Sequence, residues 1–297
     1  MARNLKDFLT EELKRTGYPL QIEIASALEG TYVVDNNSYY FDPDEPKARE
    51  IDINAFTRKR EFEKKRIGPF AVVDALPIEC KKSETHAWIF LTQPTAMKWL
   101  QGQCIDFMQI MTGDLWFGFV DMIQDVAGLR LHYDQFKRVA NTYVEIRYDK
   151  GKESKKTEIF EAKNQLVKFV NYDISQFLER LKNHKFNPMK NHLLWFYHPT
   201  IVFDGQLYEA ICENQSIRLF ERKHILMSTW HSPLYLKDFP RTEKPDLPYL
   251  IDVVRKDFFT DFLKILENDY SSLWSCIYDN IEKLKKQVKK DAALFKQ

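Results

Sequence analysis

Glycine is scarce in this 297-residue chain, at 9 residues, and proline is limited to 12. So little of either excludes collagen-like repeats and the Gly/Pro-rich composition of linkers and low-complexity segments. Four cysteines (Cys80, Cys104, Cys212 and Cys276) lie far apart with no CxxC pair. Their spacing argues against a disulfide framework or a zinc knuckle and reads as the reduced thiols of a cytoplasmic protein. No stretch approaches the ~18 uninterrupted apolar residues a spanning helix needs. The first thirty residues carry Arg3, Lys6, Asp7, Glu11, Glu12, Lys14 and Arg15, where a signal peptide would place its apolar core. Net charge is lacking too: 44 Lys+Arg stand against 43 Asp+Glu, a formal +1. A uniformly basic coat is thereby excluded, although a balanced total still permits one basic face. Also absent are GxxxxGK[ST], GxGxxG after a strand, HExxH and GxSxG. The seven histidines show no i,i+4 pair suited to a metal. P-loop phosphate chemistry, Rossmann hydride transfer and zinc proteolysis therefore find no support.

What the chain has in quantity is aromatic surface, with 22 Phe, 14 Tyr and 6 Trp. That apolar area offsets chain entropy and argues against disorder. A length near 300 allows one elaborated domain or two smaller ones; with no internal repeat and no clear linker, one domain with insertions is preferred. Leu5, Phe8, Leu9 and Leu13 at helical spacing predict a first helix ended by Gly17, with a second running from Pro19 to Gly30. Thr31–Phe41 reads as strand material with a turn at Asn36-Asn37. Arg49–Phe56 alternates strictly, Ile51, Ile53 and Ala55 on one face and Glu50, Asp52 and Asn54 on the other. Strands follow at Ala71–Lys82 and Ala87–Leu91, then an aromatic, Met-rich stretch of mixed helix and loop, and a strand at Tyr143–Tyr148. The stripe from Ile159 to Leu181 predicts a long helix over Glu158–Leu181. Strands resume at His192–Phe203, Leu207–Cys212, Ile225–Trp230 and Leu247–Val254, with Asp204-Gly205 read as a hairpin turn. A helix over Lys256–Asn268 and an amphipathic tail, Ser271–Lys296, complete the chain.

Chemistry concentrates on a few carboxylates and one lysine. Asp52 projects from a strand whose other face is apolar. Glu79 and Lys81, two residues apart, share one face of the next strand, with Ile78 and Cys80 on the opposite face. If these strands pair through a hairpin around 57–70, Asp52 and Glu79 converge on one cation. A hard divalent ion such as Mg²⁺ takes oxygen ligands and keeps several waters, so two carboxylates can suffice. A neighbouring lysine then positions or deprotonates a water, or stabilises charge growing on a phosphate. Glu23 stands alone as a charge within the apolar segment PLQIEIASAL, a costly placement unless it is paired or binds a metal.

The order of Glu23 on an early helix, Asp52 in R-E-I-D-I and Glu79-Cys80-Lys81 resembles the PD-(D/E)XK restriction-endonuclease-like superfamily. It is most similar to the subgroup of Mrr-type restriction enzymes and archaeal Holliday-junction resolvases. The core motifs span about residues 16–92, and Ile51 stands where the family pattern has proline. The resemblance implies an α/β fold with a mixed central sheet flanked by helices, an insertion around 97–156 and a helical C-terminus. On this division residues 1–270 form the nuclease-like domain, its second half over 157–270, and 271–297 a C-terminal helix. It also implies a Mg²⁺-dependent nuclease, Mn²⁺ substituting, acting on nucleic acid, DNA more than RNA, in prokaryotic defence or repair. Asp52 and Glu79 would be metal ligands, Lys81 the catalytic lysine, and Glu23 an auxiliary acid completing the metal site. Gln165, on the later helix, corresponds to a glutamine that some members place near the site.

Competing readings remain open at this level. E-x-K alone occurs by chance in most proteins, and Glu79 and Lys81 can form a solvated strand face beside Glu50 and Asp52. The same fold can serve as a non-catalytic module that binds nucleic acid or a protein partner. The stretch 271–296 can support a homodimer or an interaction subunit. Basic runs at 58–66, 150–156 and 282–290 can contact phosphates, though each alone reads better as a solvated surface. Trp88, Trp99, Trp116 and Trp195 can stack on bases, but core packing is the better reading for most. His132-Tyr133-Asp134 and His198 fit structural roles better than catalytic ones.

Overall fold

The computed structural model describes residues 4–42, 45–57, 70–94, 109–111, 131–148, 152–153, 158–183, 192–231 and 247–280, with 282, 283 and 286. Four α-helices are present among them: α1 (Leu5–Arg15), α2 (Tyr18–Leu28), α3 (Glu158–Asn183) and α4 (Phe259–Asp279). The strands are β1 (Tyr32–Asp42), β2 (Lys47–Thr57), β3 (Phe70–Pro94), β4 (Gln109–Met111), β5 (Arg138–Arg147) and β6 (Lys152–Glu153). They continue with β7 (His192–Tyr197), β8 (Thr200–Glu213), β9 (Ser216–Glu221), β10 (His224–His231) and β11 (Leu247–Arg255). All belong to one 11-stranded mixed sheet ordered β1-β2-β3-β5-β10-β11-β8-β9, with β4, β6 and β7 off that path. β3 also pairs in parallel with β8, so pairings trace a closed circuit β3–β8–β11–β10–β5–β3. The link between β10 and β5 in this circuit is a single register pair, Met227 with Ala140.

The chain is therefore a mixed α/β protein with helices on both faces of a central sheet and a helical C-terminal element. On one face, Ile159, Ala162, Leu166, Phe169, Val170 and Ile174 of α3 pack on Tyr40, Ile51, Trp88 and Phe203. On the other, Leu20, Ile24 and Leu28 of α2 and Phe259, Phe262 and Leu266 of α4 cover Ile53, Ile78, Cys80 and Val202. Glu145 of β5 accepts the backbone N–H of Ile159 at 2.9 Å, satisfying one of the free donors at the start of α3. Buried Asp42 pairs with Lys168 of α3 at 2.9 Å and also with Arg49, fastening the β1–β2 hairpin to that helix.

Several elements differ from the sequence expectation. Ala71–Lys82 and Ala87–Leu91 belong to one strand of 25 residues, interrupted in its β8 pairing by a register shift between Lys82 and Ala87. Asn36-Asn37 is no turn: β1 runs through it, with Asn37 in a positive-φ conformation at 56°. Asp204-Gly205 is likewise no hairpin, because β8 continues through it. Gly205 is needed there for close approach, since a Cβ would sit 2.4 Å from the Phe203 ring and 2.9 Å from the Ser83 carbonyl oxygen. The hairpin instead forms at Asn214-Gln215, both at positive φ (49° and 62°), and returns the chain as β9. α4 runs unbroken across residue 270. The insertion at 97–156 lies mostly outside the described residues, as do 58–66, most of 282–290, Trp99 and Trp116. Among the described residues no helix is long and apolar enough to cross a membrane.

Candidate active site

Antiparallel pairing of β2 with β3 sets Ile53 opposite Ile78 and so carries Asp52 beside Glu79. The hairpin anticipated between these strands thus brings together three of the four expected residues. Alternation does the positioning: Ile53, Ile78 and Cys80 are buried under α2 and α4, which leaves Asp52, Glu79 and Lys81 to the opposite side of their strands. The backbone N–H of Cys80 donates to Asp52 Oδ2 at 2.7 Å, fixing that carboxylate against β3. Lys81 Nζ donates to Glu79 Oε2 at 2.8 Å.

Glu79 is only 1% exposed, and its Oε1 is buried without a hydrogen-bond partner. Burial pushes the Glu79 carboxyl up to about 8, with the Lys81 ammonium opposing that rise and the Asp52 charge adding to it. Burial also raises Asp52, against the pull of Lys81 and of the Cys80 N–H. For Lys81 burial works to lower the ammonium, yet the fields of Glu79 and Asp52 outweigh it and leave it raised. Lys81 is therefore a fixed cation at neutral pH. The Cys80 thiol faces the core and is pushed up by burial and then by Asp52 and Glu79, which removes it as a nucleophile.

Glu23 does not join this group. The buried face of α2 is Leu20, Gln21, Ile24, Ala25 and Leu28, and it packs against the Ile78–Cys80 face of the sheet. Glu23 lies on the exposed side of α2, its side chain 58% exposed, and pairs with Lys256 at 2.7 Å. The apolar surroundings read from PLQIEIASAL are thus partly solvent-facing, since Ile22 is 67% exposed. A surface carboxylate with a lysine partner carries no desolvation cost that a metal must relieve. The α2 residue that does reach the site is Gln21, which sequence reasoning missed. Its Nε2 donates to the Asp52 carbonyl oxygen at 2.6 Å and to Asn37 Oδ1. Gln165 of α3 approaches from the other face, its Nε2 donating to the Glu50 carbonyl oxygen at 3.4 Å. The two amides hold the β2 backbone at Asp52 and at Glu50.

A second polar cluster was also missed as a unit. Buried His132 is held by Asp269 and, through Nε2, by Asp252 at 3.2 Å, while His224 Nε2 reaches the same Asp252 at 2.8 Å. Despite burial, these two carboxylates raise His132 to about 10. Tyr133 bonds His198 Nδ1 at 2.9 Å, and His198 Nε2 meets Asp74 at 2.8 Å. Only His132 and Tyr133 are neighbours in sequence, so no local motif could announce the cluster.

Among the described residues no group of three or more His, Cys, Asp or Glu side chains is placed to hold a metal ion. What Asp52 and Glu79 offer is a smaller donor set, two carboxylates of which one oxygen is buried and unpartnered. That set suits a hard cation completed by water and substrate oxygens, and not a structural zinc. No protein-family model, curated protein or solved structure matches this chain.

Proposed function

We propose that Asp52, Glu79 and Lys81 form the site of a divalent-metal-dependent nuclease, acting on DNA, on a restriction-endonuclease-like version of the mixed α/β fold. The observation that carries this reading is Glu79 Oε1, buried without a hydrogen-bond partner next to a second carboxylate and a fixed ammonium. Asp52 and Glu79 would hold Mg²⁺, which would supply Lewis-acid stabilisation of a phosphodiester and an activated water. Lys81, held as a cation, stabilises charge on the phosphate instead of accepting a proton. Gln21 positions Asp52 through its carbonyl oxygen, and Gln165 holds the same strand at Glu50. Glu23, paired with Lys256, has no part in this site.

The placement of Glu23 and the hydrogen bond that ties Lys81 to Glu79 favour one alternative, a non-catalytic module that binds nucleic acid on the same fold. Metal binding separates the two. Mn²⁺ titrated into the protein and followed by electron paramagnetic resonance is expected to bind at one site and to lose that site in Asp52→Ala. Absence of a bound signal, together with salt-dependent DNA affinity indifferent to Asp52→Ala, would establish the binding module instead.

A further inference from the structure

Thr92 lies eleven residues beyond Lys81 along β3, which places it far from the carboxylate pair. There Thr92, Lys137, Arg138, Glu209, Arg222 and His224 line a cleft of about 380 Å³. Its polar framework is already held in place. Buried Glu209 takes Thr92 Oγ1 at 2.6 Å and Arg222 Nε at 2.8 Å, and Arg138 donates to Thr92 Oγ1 at 2.9 Å and to the Thr92 carbonyl oxygen at 2.7 Å. Both guanidiniums are thereby oriented before any ligand arrives, and Nη1 of Arg222 makes no hydrogen bond among the described residues. His224 is fixed as firmly. Its Nε2 is committed to buried Asp252 at 2.8 Å, and Phe136 and Phe262 meet its ring edge-on at 4.9 and 5.2 Å. Its Nδ1 has no hydrogen bond among the described residues.

Three cations line the cleft against the single lining carboxylate of Glu209, an excess of two positive charges, and Glu213, 3.7 Å from Arg138 Nη1, is offset by Arg218 at 2.8 Å. Glu209 holds the Nε and Nη2 edge of Arg222, which leaves Nη1 to point a planar, pre-oriented donor at a phosphate oxygen. A concavity of this size accepts a small molecule.

We propose that this cleft is a binding site for a small phosphomonoester, its dianionic phosphoryl group held by Arg138, Arg222 and Lys137 with His224 beside it. The excess of two charges matches a monoester dianion, where a backbone diester brings only one. The site shares no residue with the proposed metal centre.

The test is calorimetric titration of the full chain with inorganic phosphate at pH 8 without divalent metal, competed by dimethyl phosphate and by a short DNA duplex. Saturable binding at one site is expected, weakened about tenfold in Arg222→Gln and in Lys137→Gln and unchanged in Asp52→Ala. Lys137 is exposed, so its variant keeps the result readable if Arg222→Gln lowers stability. Phosphate binding that does not saturate, or that both variants leave intact, would overturn the proposal. Displacement by dimethyl phosphate or duplex as effective as by phosphate would overturn it in favour of a nucleic-acid contact.

Discussion

Replacing Glu79 by Gln tests the electrostatics of the carboxylate pair without changing its shape. In the folded protein burial moves this carboxyl from 4.5 up to about 8. A group whose folded pKa is raised favours folding below its unfolded pKa and loses that contribution as pH climbs through the folded value. At 1.36 kcal/mol per pH unit, ionised Glu79 costs the metal-free fold an upper limit of roughly 5 kcal/mol above pH 8. Relaxation around the site brings the expected effect to about 1–3 kcal/mol. Metal-free Glu79→Gln should thus be more stable than wild type at pH 8 by that amount, and equal to it near pH 4.5. Urea unfolding of both proteins at half-unit pH steps reads the difference, because titrating groups other than Asp52 and Lys81, which feel the Glu79 charge, cancel between them. Mg²⁺ should close this gap or reverse it at pH 8: at a hundredfold excess over its dissociation constant it stabilises wild type by about 2.7 kcal/mol and leaves Glu79→Gln unmoved. Parallel pH curves, or a metal-free Glu79→Gln that is less stable than wild type at pH 8, would refute the assignment of Glu79 as a buried carboxyl waiting for a cation.

Three further outcomes are expected. His132→Gln should cost about 3–5 kcal/mol at pH 7, because it leaves buried Asp252 with the His224 hydrogen bond but without its His132 partner. The raised His132 stabilises fully below pH 6.5, so wild type should lose this advantage as pH rises through about 10, checked by thermal unfolding across that range. Gly205→Ala should destabilise by about 2–3 kcal/mol, since the new Cβ meets a Phe203 ring that is stacked on Trp88 at 3.9 Å and has little room to yield. Trp88→Ala, at a side chain 0% exposed, should cost about 3–5 kcal/mol by denaturant unfolding.

The Asp52–Glu79–Lys81 arrangement was legible in the sequence because it depends on two local properties, the period of two along each strand and the antiparallel pairing of neighbouring strands. α3 was legible for the same reason, its stripe of apolar residues requiring no partner to be recognised. Glu23 misled because an apolar neighbourhood along the chain is not an apolar neighbourhood in space, and α2 exposes Ile22 as well. Asp204-Gly205 misled because glycine serves two purposes, positive φ and close approach, that a dipeptide does not distinguish. The real hairpin uses Asn214 and Gln215, and only Asn there favours the left-handed region. The His132 cluster and the cleft at His224 join residues more than a hundred positions apart, and no pattern within a window contains them.

Asp52, Glu79 and Lys81 are proposed to cut phosphodiesters with a divalent metal. The most direct measurement is cleavage of supercoiled plasmid with Mg²⁺ and then Mn²⁺, comparing wild type with Glu79→Ala and Lys81→Ala. Nicked or linear product is expected from wild type alone and is abolished by chelation. Equal traces from all three proteins, or none from wild type with either metal on plasmid, branched, single-stranded and RNA substrates, would contradict this assignment.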